Sequence, residues 1–141
     1  MSKNRRLLTA ESVTEGHADK VCDQIADAVL DAMLEKDPDS RCACEVVATK
    51  GIIFIMGEIK TKAHIDLEAI ARNKLVEIGY DSTESGMDGN ACAVIVCMHE
   101  QSGDIAIGVD KSEEAREGQS DDLDFQGAGD QGIMFGYANK E

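Results

Sequence analysis

The sequence is short of positive charge. Lysine and arginine total 14 against 28 aspartates and glutamates, which leaves a net charge of −14. Such a surface repels nucleic acid and anionic membranes and excludes both as expected partners. An acidic chain can still bind a polyphosphate, but only where local cations or metal supply the missing charge; its excess carboxylate makes divalent metal the natural source. No apolar run approaches the length of a membrane span. There is no signal peptide and no internal repeat, so a cytoplasmic protein is expected. The cysteines lack a pattern. Cys22, Cys42, Cys44, Cys92 and Cys97 are odd in number, as expected of free, mostly buried thiols in a reducing compartment. Neither Cys42-x-Cys44 nor the spacing of Cys92 and Cys97 matches a common zinc pattern.

What is present suits a globular fold. The 141 residues, 43% of them hydrophobic, are enough for one domain with its own core. "RLLTAESV" reads as a short strand running into a loop. Helical spacing begins near His17, where Val21, Ile25, Ala28, Val29, Ala32 and Met33 form one apolar stripe. Asp37-Pro38 ends it, because proline cannot continue a helix and restricts the residue before it. Asp19, Asp23, Asp27, Asp31 and Glu35 recur every four residues as an acidic ridge. Like charges at that spacing repel, so the ridge is read as a solvated face, with a subunit contact or a cation-binding surface as the alternative.

The period then changes. "CACEVVAT" and "IIFIMGEI", rich in β-branched residues, flank Lys50-Gly51 and predict a hairpin. "HIDLEAIARNKLVEIGY" returns to helical spacing, with Ile65, Leu67, Ile70, Ala71, Leu75 and Ile78 apolar and Gly79 as a stop signal. "ACAVIVCMH" is a further buried strand. The order β-α-β-β-α-β predicts an α+β fold, an antiparallel or mixed sheet with helices packed on one face. Met33, Met56, Met87, Met98 and Met134 are read as core filler. From Gln101 onward periodicity fades into charge and glycine, the pattern of a functional lid or a disordered segment.

Two motifs carry chemistry. "QGAGDQG", residues 126–132, has the G-x-G-x-x-G spacing of a dinucleotide loop. That reading needs a strand before the glycines and a helix after them. An acidic stretch precedes them and "IMFGYANKE", without a helical stripe, follows. No Lys-Ser/Thr follows either, which excludes a Walker A loop. On its own the motif is a turn needing positive φ. "ESVTEGHADK", residues 11–20, sets Glu11, Glu15, His17 and Asp19 at a helix start. The free N–H groups there suit a phosphate, His17 can add a donor, and Asp19 with Glu11 could hold a hard cation. The same acids could equally just complement the helix dipole.

Taken together, "ESVTEGHADK", "GEI" near residue 58, "QSGDI" at 101 and "GAGDQG" at 127 closely resemble the S-adenosylmethionine synthetases, also called methionine adenosyltransferases. The resemblance runs from residue 7 to the end of the sequence. Family members are much longer, so the chain looks like the N-terminal portion of a three-domain fold. Residues 1–100 would be the N-terminal α+β domain, 101–111 a mobile active-site loop, and 112–141 a connection opening the next domain. The family joins ATP to L-methionine, the sulfur attacking ribose C5′ and the triphosphate leaving as phosphate and diphosphate, with Mg2+ and K+ as cofactors.

By resemblance, His17 would be the catalytic group at the ATP polyphosphate, and Asp19, joined by Glu11, would bind magnesium. Glu45 would correspond to a potassium ligand. Glu58, Gln101 and Asp130 would contact methionine, Asp130 pairing with its ammonium group. The resemblance also implies a homo-oligomer, dimer or tetramer, with active sites between two subunits. The family's phosphate-binding lysines lie beyond residue 141, so the chain is expected to be incomplete for catalysis alone. The alternative is a non-catalytic homologue that binds and modulates a full-length synthetase. Where the family has proline this chain has Ala18 and Gly103, and where glutamine is common it has Ile107. Both proline replacements loosen the backbone.

Overall fold

The computed structural model describes residues 9–101, 118, 133–136, 138 and 140. The chain divides into two compact units, Met1–Glu100 and Gln101–Glu141. In the second, residues 133–136 have no regular structure, and Met134 is 94% exposed rather than core filler.

In the first unit, the four-residue apolar repeat winds into helix α1, Ala18–Leu34, with Val21, Ile25, Val29 and Met33 buried. All five acids of the ridge face solvent. Beyond α1 the chain turns sharply at Pro38 and is fastened by Asp37. The buried Asp37 carboxylate accepts from Lys62 N at 2.8 Å and from Thr61 Oγ1 at 3.3 Å. The Lys62 N–H is the largest influence holding this carboxyl below its usual range. A depressed carboxyl contributes stability that is present above the unfolded value, about 3.9, and lost as pH falls through the folded one. Asp37→Asn should therefore flatten the acid limb of a urea-midpoint series measured across pH.

The two β-branched runs form strands β1, Arg41–Thr49, and β2, Ile52–Lys60, antiparallel with Thr49 opposite Ile52. Gly51 closes the turn at φ +73°, a conformation that favours glycine. Helix α2, Leu67–Ile78, starts later than its apolar pattern because Asp66 caps it, Oδ1 accepting from Ala69 N at 2.9 Å. Gly79 ends it in the left-handed region, as its position predicts. Strands β3, Asp81–Ser82, and β4, Met87–Asp88, form a small separate hairpin. Strand β5, Ala93–Glu100, then pairs parallel with β2. Parallel neighbours need a long crossover, which α2 supplies. The sheet order is β1-β2-β5, so the sheet is mixed.

Alternation divides the sheet into two unlike faces. Cys44, Val46, Ala48, Ile53, Ile55, Val94 and Met98 join Val21 and Ile25 of α1 and Ala71 and Leu75 of α2 in one core. The helices thus lie on one face, as expected. The other face carries Glu45, Val47, Phe54, Met56, Glu58, Ile95, Cys97 and His99; Val47 is 52% and Ile95 49% exposed. Two further expectations fail. Residues 9–13 of "RLLTAESV" form no strand, because the polar Thr9–Glu15 stretch reaches α1 as an exposed connection. The thiols are less enclosed than expected: only Cys92 is fully buried, Cys22, Cys42 and Cys44 are half-buried, and Cys97 is exposed.

Candidate functional site

His17 is the N-cap of α1. Its backbone is extended (φ −66°, ψ 141°), and its Nδ1 accepts from Asp19 N at 3.2 Å. An accepting Nδ1 leaves the proton of the neutral ring on Nε2, so the outward nitrogen is a donor. Asp19 Oδ2 stands 3.9 Å from the same Nδ1. The shorter backbone bond is the one that sets the ring, because Nδ1 cannot accept from Asp19 N and donate to the carboxylate at once. The side chains of His17 and Asp19 are 44% and 90% exposed, so both are open to a ligand.

Three bonds shape the loop that delivers His17. His17 N bonds Thr14 O at 3.0 Å, Gln24 Nε2 donates to Glu15 O at 2.9 Å, and Tyr80 Oη donates to Gly16 O. A Cβ on Gly16 would already touch the Tyr80 hydroxyl at 3.3 Å. Tyr80 and Gln24 are therefore positioning residues that motif reading missed. Gln24 sits one helical turn beyond Lys20, which could have flagged it; nothing near Tyr80 in sequence points to residue 16. His17's ψ is also what a following proline demands, and the first helical position needs no N–H. Ala18→Pro is expected to stabilise the chain by roughly 0.4–1 kcal/mol, read from the denaturant midpoint.

Beside the start of α1 opens a groove of about 180 Å3, walled by Ala18, Val21, Ala48, Tyr80 and Met87 with Lys50 among its lining. Ligand pockets for drug-sized molecules run to roughly 300–1,000 Å3. The groove is too small to enclose a nucleotide by itself.

The other expected site residues lie elsewhere. Glu11 is exposed in the irregular connection before α1. Glu45 is exposed on β1 and Glu58 half-buried on β2. Register sets Glu45 opposite Met56 and Ala43 opposite Glu58, so the two acids are diagonal neighbours on the face the helices leave bare. Glu58 follows Gly57, whose φ is +139° and where a Cβ would fall 1.9 Å from Ala43 O. Gln101 is half-buried in the second unit, and Asp130 lies outside the described residues. The structure thus joins His17 with Asp19 and Glu45 with Glu58, and sets the two pairs on opposite sides of the sheet.

Among the described residues, no group of three or more His, Cys, Asp or Glu side chains could hold a metal ion. Asp19 still fits magnesium in the manner that ion prefers, one or two carboxylates completed by substrate phosphates and water. Among the same residues no helix is long and apolar enough to cross a membrane.

These features define a two-layer α+β domain with a histidine-capped helix at one edge of its helical layer. Residues 5–103 match the family described as S-adenosylmethionine synthetase, N-terminal domain. The chain belongs to that family. It is 55% identical over 135 residues to the S-adenosylmethionine synthase of Finegoldia magna, covering 96% of this chain and 34% of the relative. It is 56% identical over 137 residues to the enzymes of the same name from Corynebacterium glutamicum and Clostridium acetobutylicum, covering 96% and 97% of this chain and 34% and 35% of theirs. The chain therefore spans about a third of the length of the curated relatives it matches.

Proposed function

We propose that the chain supplies the N-terminal part of a methionine adenosyltransferase, which forms S-adenosylmethionine from ATP and L-methionine. Family membership supports the reaction class. The observation that carries the residue assignment is the His17 cap, which aims an Nε2–H donor away from the helix start. A thioether sulfur is a neutral nucleophile and needs no general base. The barrier lies in alignment with ribose C5′ and in charge building on the leaving polyphosphate. His17 Nε2–H would donate to that polyphosphate near its bridging oxygen. The uncapped N–H groups of the first turn of α1 would add to it. Magnesium held by Asp19, joined by Glu11, would supply the positive charge that an acidic chain lacks. Glu45 would offer an oxygen to potassium.

Glu58, Gln101 and Asp130 would receive methionine, the carboxylates addressing its ammonium group. Because Glu58 and His17 lie on opposite sides of the sheet, the reading places each reaction site between two copies, His17 from one and Glu58 from the other. Methionine adenosyl transfer then belongs to the assembled oligomer.

The test is calorimetry with a non-hydrolysable ATP analogue, magnesium and methionine on the intact chain. His17→Asn keeps a capping side chain and removes the imidazole. It should weaken analogue binding at least tenfold, about 1.4 kcal/mol, with an unchanged melting temperature. Equal affinity in wild type and His17→Asn would remove His17 from the phosphate site. No heat from the wild-type chain alone would favour the module that acts through a full-length partner.

A further inference from the structure

The groove beside the start of α1 is apolar but carries one charge. Val21, Ala48, Tyr80 and Met87 line it and belong to the core cluster or pack against it. It therefore opens on the side of the helices, away from the bare face of the sheet that carries Glu45 and Glu58. Lys50, in the turn between β1 and β2, is exposed, and its stem lies along Gly86: a Cβ there would sit 3.6 Å from Lys50 Cδ and Cε. Gly86 also lines the groove, so the stem is laid across its wall. Among the described residues the Lys50 ammonium has no hydrogen-bond or ion-pair partner. None of the lining residues is acidic, in a chain whose acids outnumber its bases 28 to 14. Tyr80 and Ser85, also in the lining, already direct their hydroxyl protons to backbone carbonyls, Tyr80 to Gly16 O and Ser85 to Met87 O at 2.6 Å. The groove thus presents apolar walls, an unpaired cation and no anion.

We propose that this groove is a binding site for short aliphatic monocarboxylates. Its volume of about 180 Å3 is that of about six water molecules, which admits a branched chain of a few carbons. Burial against Ala48, Tyr80 and Met87 supplies the attraction. Pairing of the carboxylate with Lys50 fixes the orientation through charge-assisted hydrogen bonds. A free amino acid of the same shape fits less well, because its ammonium group meets no carboxylate and lies near the Lys50 charge. The occupant touches Ala18, the residue after His17, and Tyr80, whose hydroxyl holds the carbonyl before it. Binding here therefore bears on both chain neighbours of the histidine.

The site is tested without nucleotide, so its failure is separate from any failure of adenosyl transfer. The intact chain is titrated with isocaproate and followed by calorimetry and amide NMR. One equivalent should bind per chain. The amide signals of Ala18, Lys50, Gly86 and Met87 should move, and those of Val47 and Ile95 on the bare face should not. Lys50→Met keeps an unbranched stem at an exposed turn. It should weaken binding roughly tenfold or more with an unchanged melting temperature, as loss of a charge-assisted hydrogen bond does. Leucine, which adds an ammonium group, and isohexanol, which lacks the charge, should each bind roughly tenfold more weakly than isocaproate or worse. Equal affinity in wild type and Lys50→Met, or signals that move at Val47 and Ile95 instead, would overturn the site. So would the absence of both heat and moved signals at millimolar isocaproate. Isohexanol binding as tightly as isocaproate would overturn the carboxylate as the recognised group.

Discussion

Replacing Gly57 by alanine is expected to cost about 3 kcal/mol or more, among the largest effects a single methyl can have in this fold. The residue sits in the central strand β2, opposite Cys44 and beside Met98. Two penalties combine. Its φ of +139° is one that L side chains rarely adopt, and a Cβ would fall 1.9 Å from Ala43 O, 3.0 Å from Ala43 C and 3.3 Å from Cys44 Cα. Those atoms are backbone, so relief requires β1 and β2 to part rather than a side chain to turn. Parting them also displaces Glu58, the next residue. Gly51→Ala is the internal control. That glycine has positive φ too, but nothing stands within 4 Å of its Cβ direction, so roughly 1 kcal/mol is expected. Urea denaturation of both variants measures the difference; equal midpoints would show that the strand approach is not what selects glycine at 57.

Ile55→Ala should cost about 2–5 kcal/mol by the same measurement. Ile55 is fully buried, flanked in register by Val46 and Val96, and part of the cluster that includes Val21, Ile25, Ala71 and Leu75. It touches both layers, so the void it leaves cannot collapse from one side. Val47→Ala, on the neighbouring strand but 52% exposed on the bare face, should cost under about 0.5 kcal/mol. The contrast tests the assignment of faces directly: comparable losses at both positions would mean that the bare face is covered in solution.

Much of this fold was legible because its periods are clean. The i,i+4 spacing of Val21, Ile25, Val29 and Met33 names both the buried stripe of α1 and the exposed ridge behind it. The hairpin follows from two β-branched runs meeting at Lys50-Gly51, and the end of α2 from Gly79. Misreadings arose where local pattern and context part. "RLLTAESV" has the beginning of a strand composition, but Thr9–Val13 offer no alternating face to bury. Strands β3 and β4, two residues each, are too short to have a period.

Of the candidate site, the capped histidine and its acid are local and could be seen in ten residues. The division of His17 from Glu58 across the sheet could not, because it depends on which phase of β1 and β2 the helices cover. Gly57 stood beside a recognised motif, but its role rests on the close approach of the Ala43 carbonyl from the paired strand, fourteen residues upstream, and on a dihedral no composition reports.

The bond from Tyr80 to Gly16 spans 64 residues. Contacts of that separation close large loops and form late relative to hairpins and helices. The cap of α1 can fold from its own neighbourhood, yet the carbonyl just before His17 waits for a hydroxyl synthesised 64 residues afterwards. At roughly 5–20 residues per second of translation, that interval lasts several seconds. During synthesis the helix mouth therefore exists before it is fastened, and the domain acquires its final histidine geometry only when its second helix has been made and turned back.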